Sequence, residues 1–305
     1  MDQMNGRFAG VYTAIITPFR DQAVDYDAYD ALVERQIEAG EAGIVVAGTT
    51  GESATLSKDE IANLVTRTKK AAGSRVLVMA GAGSNSTATT LEKIASVEAA
   101  GADAVLIVTP YYNKPSQAGL VAHFGAAAEA TGLPVMLYSV PGRCAVEIAP
   151  QTCAVLATTY RNIVGIKEAG GSTLRVTQIR QACGPDFAIH CGDDGLTLPF
   201  LSVGAIGVTS VVSNVAPREM VQLLNAWKSG DVRRALAIHE AIAELCDVLF
   251  VESNPAPAKA ALALAGLSKA ELRLPLVEMA ESNLAKLKAA LDRFELSRAT
   301  LQEIR

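Results

Sequence analysis

Lys167 stands at the end of Ile163-Val-Gly-Ile-Lys167-Glu168, the one lysine in an apolar stretch. The run reads as a short strand that carries an amine into the interior. An ammonium is costly to bury, so such a site favours the neutral amine, the form that attacks a ketone and makes a Schiff base. The same pattern also fits a strand-end lysine that snorkels to water or pairs with Glu168. If the strand continues, Glu168 turns to the opposite face, toward a covering helix layer or water.

Three further segments carry groups suited to a keto acid. Gly48-Thr49-Thr50-Gly51-Glu52-Ser53 sets two hydroxyls between glycines, where side-chain and backbone donors can both reach a carboxylate. Ser57 before Lys58-Asp59-Glu60 has the form of a capping box, so Thr49 and Thr50 lie too early to serve as that cap. Thr109-Pro-Tyr111-Tyr112-Asn-Lys-Pro115 and Tyr138-Ser-Val-Pro-Gly-Arg143 place tyrosines at successive strand ends, a candidate proton path. Arg143 offers a bidentate fork for a second carboxylate, although a lone arginine is more often a surface charge.

These segments need elements to bring them together. Short β-branched runs recur at Val11–Pro18, Gly43–Gly48, Val76–Gly81, Ala104–Pro110, Pro134–Val140, Ile163–Lys167, Phe187–Gly192 and Gly204–Ser210. Helical patterns alternate with them, and eight such units predict an α/β fold, a closed (β/α)₈ TIM barrel whose strand ends share one mouth. Gly81-Ala-Gly83 lacks the third glycine and acidic residue of a dinucleotide fingerprint and reads as a turn at a strand end. Asp231–Val251, Pro257–Leu264 and Leu276–Leu301 form a C-terminal helical extension. The expected division is a catalytic barrel over 1–228 and a helical region over 229–305, packed on the barrel or on a neighbouring subunit.

Composition narrows the class. Of 305 residues half are hydrophobic and 19% charged, which argues against disorder. With a net charge of −5 and no basic run interleaved with aromatics, nothing suggests a nucleic-acid surface. Mean hydropathy is +0.25, yet polar residues interrupt every candidate membrane span. Five scattered cysteines without a Cys-x-x-Cys pair fit free thiols in a reducing cytoplasm. His123, His190 and His239 are too dispersed in sequence to suggest a metal site.

GTTGESATL from Gly48, TPYYNKPSQ from Thr109, YSVPGR from Tyr138 and GIKEA from Gly165 together resemble the dihydrodipicolinate synthase family of pyruvate-dependent Schiff-base aldolases and lyases. The resemblance spans about Phe8 to Leu274. It implies a homotetramer built from tight dimers, no metal or organic cofactor, and pyruvate and L-aspartate 4-semialdehyde as substrates. By motif, Lys167 condenses with pyruvate, and Thr49 and Thr50 bind its carboxylate. Thr50, Tyr138 and Tyr112 form the proton relay, Tyr112 acting across the tight-dimer interface. Arg143 holds the second substrate's carboxylate, and Gly192 in CGDD and Thr209 line the pocket.

This chain departs from that pattern. Ser139 replaces the usual asparagine, Cys144 a threonine, and Thr209 a residue that is often isoleucine. The positions matching the family's lysine feedback site hold Lys58, Ile61 and Thr89, while Ser53, Ala54, Asn85 and Tyr111 remain, which leaves at most a residual regulatory site. The resemblance implies condensation in lysine and diaminopimelate biosynthesis. Alternatives are another pyruvate aldolase, such as one cleaving N-acetylneuraminate or a 2-keto-3-deoxy sugar acid, or a silent barrel that binds a keto acid.

Overall fold

Eight parallel strands close into a barrel: β1 (Gly10–Ala14), β2 (Gly43–Val46), β3 (Leu77–Gly81), β4 (Ala104–Val108), β5 (Val135–Ser139), β6 (Ile163–Glu168), β7 (Ala188–Cys191) and β8 (Gly207–Ser210). The computed structural model describes residues 6–303, so the outermost positions of the expected division lie outside the described residues. Each strand pairs with its neighbours in sequence, and β1 pairs with β8 to complete the ring.

Side chains alternate across the wall because successive residues of a strand face opposite sides. Tyr12, Val45, Met79, Leu106, Met136 and Ala188 pack in the lumen with Phe8. Val11, Ile44, Val46, Val78, Ile107 and Leu137 pack outward in the larger core shared with the helices. Both faces are therefore apolar, which is why the strands read as nearly continuous hydrophobic runs.

The outer layer begins with α1 (Tyr26–Ala39), α2 (Lys58–Ala72), α3 (Thr87–Ala99) and α4 (Gln117–Glu129). It continues with α5 (Pro150–Thr159), α6 (Thr173–Cys183), α7 (Thr197–Ser202) and α8 (Pro217–Lys228). In α1 the buried residues Tyr29, Leu32, Val33, Gln36 and Ile37 fall on one face. Asp25 caps the first turn, and Gly40 ends the helix in the left-handed region at φ 85°. The capping box expected at Ser57 forms, with Ser57 and Glu60 each accepting from the other's backbone N–H.

Two local elements differ from the sequence expectation. β1 stops at Ala14, and a small hairpin follows, Phe19–Arg20 against Ala23–Val24. Asp21 and Gln22 both take positive φ there, the backbone demanded by a tight two-residue turn, without the Asn-Gly signal that usually marks one. Beyond β5, Pro141–Cys144 forms a single helical turn with proline at its start, so Arg143 is held on a turn rather than a strand end. At Gly81 and Gly83 the cause is close packing, not a turn: a Cβ would meet Ala47 O at 2.2 Å and Val108 N at 2.5 Å.

The extension comprises α9 (Val232–Val248), α10 (Ala256–Leu264) and α11 (Glu281–Glu303). An apolar stripe on α11 is buried at Leu287, Ala290 and Phe294, against α9 and α10 of the same chain. Among the described residues no helix is long and apolar enough to cross a membrane.

Candidate active site

A cavity of about 410 Å³ opens at the carboxyl ends of the strands. Thr49 and Thr50 after β2, Tyr138 on β5, Arg143, Lys167 on β6 and Gly192 after β7 all line it. Six of the residues singled out in the sequence therefore meet at one mouth. Lys167 enters from the lumen face of β6, only 6% exposed, with Nζ 4.3 Å from the centre of the Tyr138 ring. The two residues are direct partners in the β5–β6 register. Among the described residues no carboxylate lies within ion-pair range of Lys167.

Glu168 takes the opposite face, as the alternation requires. It is fully buried in the helix layer, where it pairs with Arg175 at 3.1 Å and accepts from Gly170 N at 2.7 Å. Burial pushes its carboxyl above the usual range, and Arg175 opposes that shift. Arg175 also donates to Ile148 O and pairs with Glu147, so it braces the segment that follows Arg143.

Thr50 is buried, and its Oγ1 accepts from Asn254 Nδ2 at 3.0 Å, which leaves the hydroxyl hydrogen for another acceptor. Among the described residues Asn254 Oδ1 has no hydrogen-bond partner. The loop carrying Thr50 is tightly bent: Ala47 and Glu52 take φ of 52° and 55°, and Thr17 Oγ1 donates to Gly51 O. Behind the cavity wall, buried Asp194 Oδ2 accepts from Val211 N and Val212 N after β8.

Tyr112 and Thr209 stand apart from this cluster. Tyr112 is 89% exposed with φ 76°, an unfavourable backbone for a bulky residue, and does not line the cavity of its own chain. Thr209 is buried beside His190. His190 Nε2 faces the carbonyl of Phe8 and must donate to it; burial pushes the ring down to about 4, so it is neutral and its Nδ1 accepts from Thr209. The Thr209 hydroxyl is thereby committed to His190. Ser139 Oγ likewise accepts from Ile148 N, and burial raises the Cys144 thiol. None of the three departures lines the cavity. Of the regulatory positions, Asn85 and the loop after β4 are joined through Asn113 Nδ2, which donates to Asn85 O.

The sequence reading missed the outer wall of the cavity. Cys246, Asp247, Phe250 and Asn254 come from the extension, which thus contributes to the site. It also missed Lys259, whose signal was present: one lysine within the apolar run Ala256–Leu264, the same pattern that marked Lys167. Among the described residues no group of three or more His, Cys, Asp or Glu could hold a metal.

The family model described as the dihydrodipicolinate synthetase family matches residues 7–294. The chain belongs to that family. The 4-hydroxy-tetrahydrodipicolinate synthase of Magnetococcus marinus is 47% identical over 289 residues, covering 95% of this chain and 99% of the relative. The solved 4-hydroxy-tetrahydrodipicolinate synthase of Methylacidiphilum fumariolicum SolV superposes with a TM-score of 0.95 at 47% identity, covering 97% of this chain and 99% of that one. DHDPS from Cyanidioschyzon merolae, solved with lysine bound, gives 0.92 at 43% identity, covering 95% and 99%. This dihydrodipicolinate synthetase-family barrel therefore has its mouth, and the residues gathered there, on the scaffold those relatives share.

Proposed function

We propose that this chain condenses pyruvate with L-aspartate 4-semialdehyde to give 4-hydroxy-tetrahydrodipicolinate, the product for which relatives at 45–47% identity are named. One observation carries the reading: Lys167 is a buried amine against the Tyr138 ring, free of any carboxylate among the described residues, in a cavity that Thr49, Thr50 and Arg143 also line. Lys167 Nζ adds to the ketone carbon of pyruvate, and water leaves with a proton delivered through Tyr138. The resulting imine loses a methyl proton to become an enamine, whose carbon attacks the aldehyde. The amine of the second substrate then attacks the imine carbon and displaces Lys167. Thr49 and Thr50 take the pyruvate carboxylate, Gly192 brings backbone close to the ligand, and the Arg143 fork takes the second carboxylate.

Tyr112 completes the relay from a neighbouring copy, in a homotetramer of tight dimers. Its exposure and its positive φ support this, because a tyrosine held out in strained backbone calls for something to meet it. In the division at 228/229 the barrel supplies the reacting groups, and the extension walls them with Cys246, Asp247, Phe250 and Asn254. The five cysteines are all free thiols, which supports placement in the reducing cytoplasm. Neither Ser139 nor Thr209 lines the cavity, and the Thr209 hydroxyl is given to His190, so neither is placed to read a polyol, which favours this substrate over a sugar acid.

Borohydride with pyruvate should trap a reduced adduct on Lys167 by mass spectrometry, and Lys167→Ala should lose both adduct and condensation. An adduct on another lysine would overturn the assignment. Turnover of a sugar-acid substrate in preference to L-aspartate 4-semialdehyde would replace the substrate.

A further inference from the structure

The extension holds a second buried lysine. The side chains of Lys259 on α10 and Glu52 in the loop after β2 are 0% and 1% exposed and form an ion pair. Lys259 Nζ also donates to Glu271 O at 2.8 Å and lies 3.9 Å from the centre of the Phe19 ring. Arg273 covers the other part of this cluster: its guanidinium lies 4.4 Å from the same ring, and its backbone N–H donates to Glu52 Oε2 at 3.2 Å. Five residues before Lys259, Asn254 donates to Thr50 Oγ1. Two ties thus run from one segment of the extension to two positions of one loop.

A buried ion pair is a weak source of stability, because desolvation offsets most of the attraction, and a well-packed apolar pair serves as well. What the pair does supply here is a fixed geometry. Glu52 sits at φ 55°, a conformation that a glutamate leaves readily unless its surroundings impose it. Thr49 and Thr50 stand three and two residues before it. Lys259 does not line the cavity and so acts on substrate only through that loop.

We infer that Lys259 is a positioning residue for pyruvate: its ion pair with Glu52, alongside the Asn254–Thr50 hydrogen bond, fixes the loop that aims Thr49 and Thr50 at the carboxylate. This rests on the proposed reaction and assigns part of its pyruvate recognition to the C-terminal extension. Without the tie, the hydroxyls shift while Lys167, Tyr138 and Arg143 stay in place. The loss therefore falls on pyruvate and spares the second substrate.

The test uses the full chain, with Lys259→Met and the double variant Lys259→Met/Glu52→Gln. The single variant leaves Glu52 buried and unpaired, so its melting temperature falls. The double variant leaves no uncompensated charge, and its melting temperature recovers. The expected result is a pyruvate KM still raised about tenfold in the recovered double variant, with KM for the aldehyde and kcat near those of the unaltered chain, since a 1 Å misplacement alone costs up to about a hundredfold. Recovery of the pyruvate KM together with the melting temperature would overturn the proposal and make the pair merely structural. A pyruvate KM unchanged in either variant would do the same. Borohydride trapping on the unaltered chain is run alongside: no adduct there rejects the reaction itself, whereas an adduct with an unchanged variant KM rejects only the role of Lys259.

Discussion

Lys167 and Lys259 share a sequence pattern, one lysine in an apolar run, and both are buried, yet their surroundings differ in kind. Lys259 meets a carboxylate, a carbonyl and an aromatic face. Lys167 meets the Tyr138 ring and an open cavity. Burial pulls Lys259 down to about 8, against the opposing pull of Glu52. Its nitrogen remains held by fixed partners and has no path to a ligand. Low exposure is thus not what makes a lysine reactive. An amine becomes a nucleophile when its protein partners leave it a face toward substrate.

The comparison breaks most sharply in stability. Lys259→Met should cost about 3–5 kcal/mol, because it strands Glu52 in the interior. Lys167→Met should leave the unfolding free energy unchanged or raised, since no carboxylate loses its partner and a buried amine is replaced by an apolar chain. Denaturant titration of both variants checks this, and equal destabilisation would mean that Lys167 also has a structural ion partner. The two substitutions should reverse order in activity, with Lys167→Met abolishing condensation.

Arg143→Ala sharpens what lies across the cavity from the lysine. Arg143 is exposed in the free chain and sits on the helical turn Pro141–Cys144, so removing it leaves the barrel intact. Trapping of pyruvate on Lys167 should persist, while kcat/KM for the acidic aldehyde falls by an amount equivalent to about 2–5 kcal/mol if the pair is desolvated. Adduct formation and condensation measured separately decide it: equal loss of both would put Arg143 on pyruvate instead.

The same contrast explains what the sequence could reveal. The eight strands and most helices were legible because each signal is local: an apolar run bounded by turns, or a 3.6-residue stripe such as Tyr29, Leu32, Val33, Gln36 and Ile37. Lys167 and Tyr138 were legible because they sit at strand ends, and Thr50 and Arg143 because they lie on the loop or turn that directly follows one, all of which a barrel must bring to one mouth. Asn254 carried no such local signal, and the apolar run at Lys259 did not reveal its role, because their partners Thr50 and Glu52 lie about 200 residues away and only the path of the extension over the mouth brings them together. Tyr112 was legible as a motif but not as a position. Its exposure on the single chain depends on the strained loop Tyr111–Lys114, whose positive φ values no composition rule anticipates.

A third lysine offers the smallest effect. Lys58 opens α2 at the surface, five and four residues after Ser53 and Ala54, in the segment where the family's feedback ligand is expected. Free L-lysine binding there would meet the Lys58 ammonium and the positive end of the α2 dipole as like charges. Thr89 presents a hydroxyl where a carboxylate would be needed to pair the ligand's amine. Tyr111 and Asn85 remain as neutral contacts, and the backbone carbonyl of Asn85 is already engaged by Asn113. Each charge is exposed and screened by salt, so the opposition is modest in energy but acts on a ligand left without a compensating ion pair. L-lysine up to about 1 mM, the concentration scale of weak ligands, should therefore change initial rates little at subsaturating pyruvate and fixed ionic strength. The DHDPS of Cyanidioschyzon merolae, solved with lysine bound, is the natural control. Strong saturable inhibition of this chain would show that another acidic group supplies the pairing that Thr89 lacks. Lys58→Ala should then strengthen that inhibition further, because it removes the one charge set against the ligand.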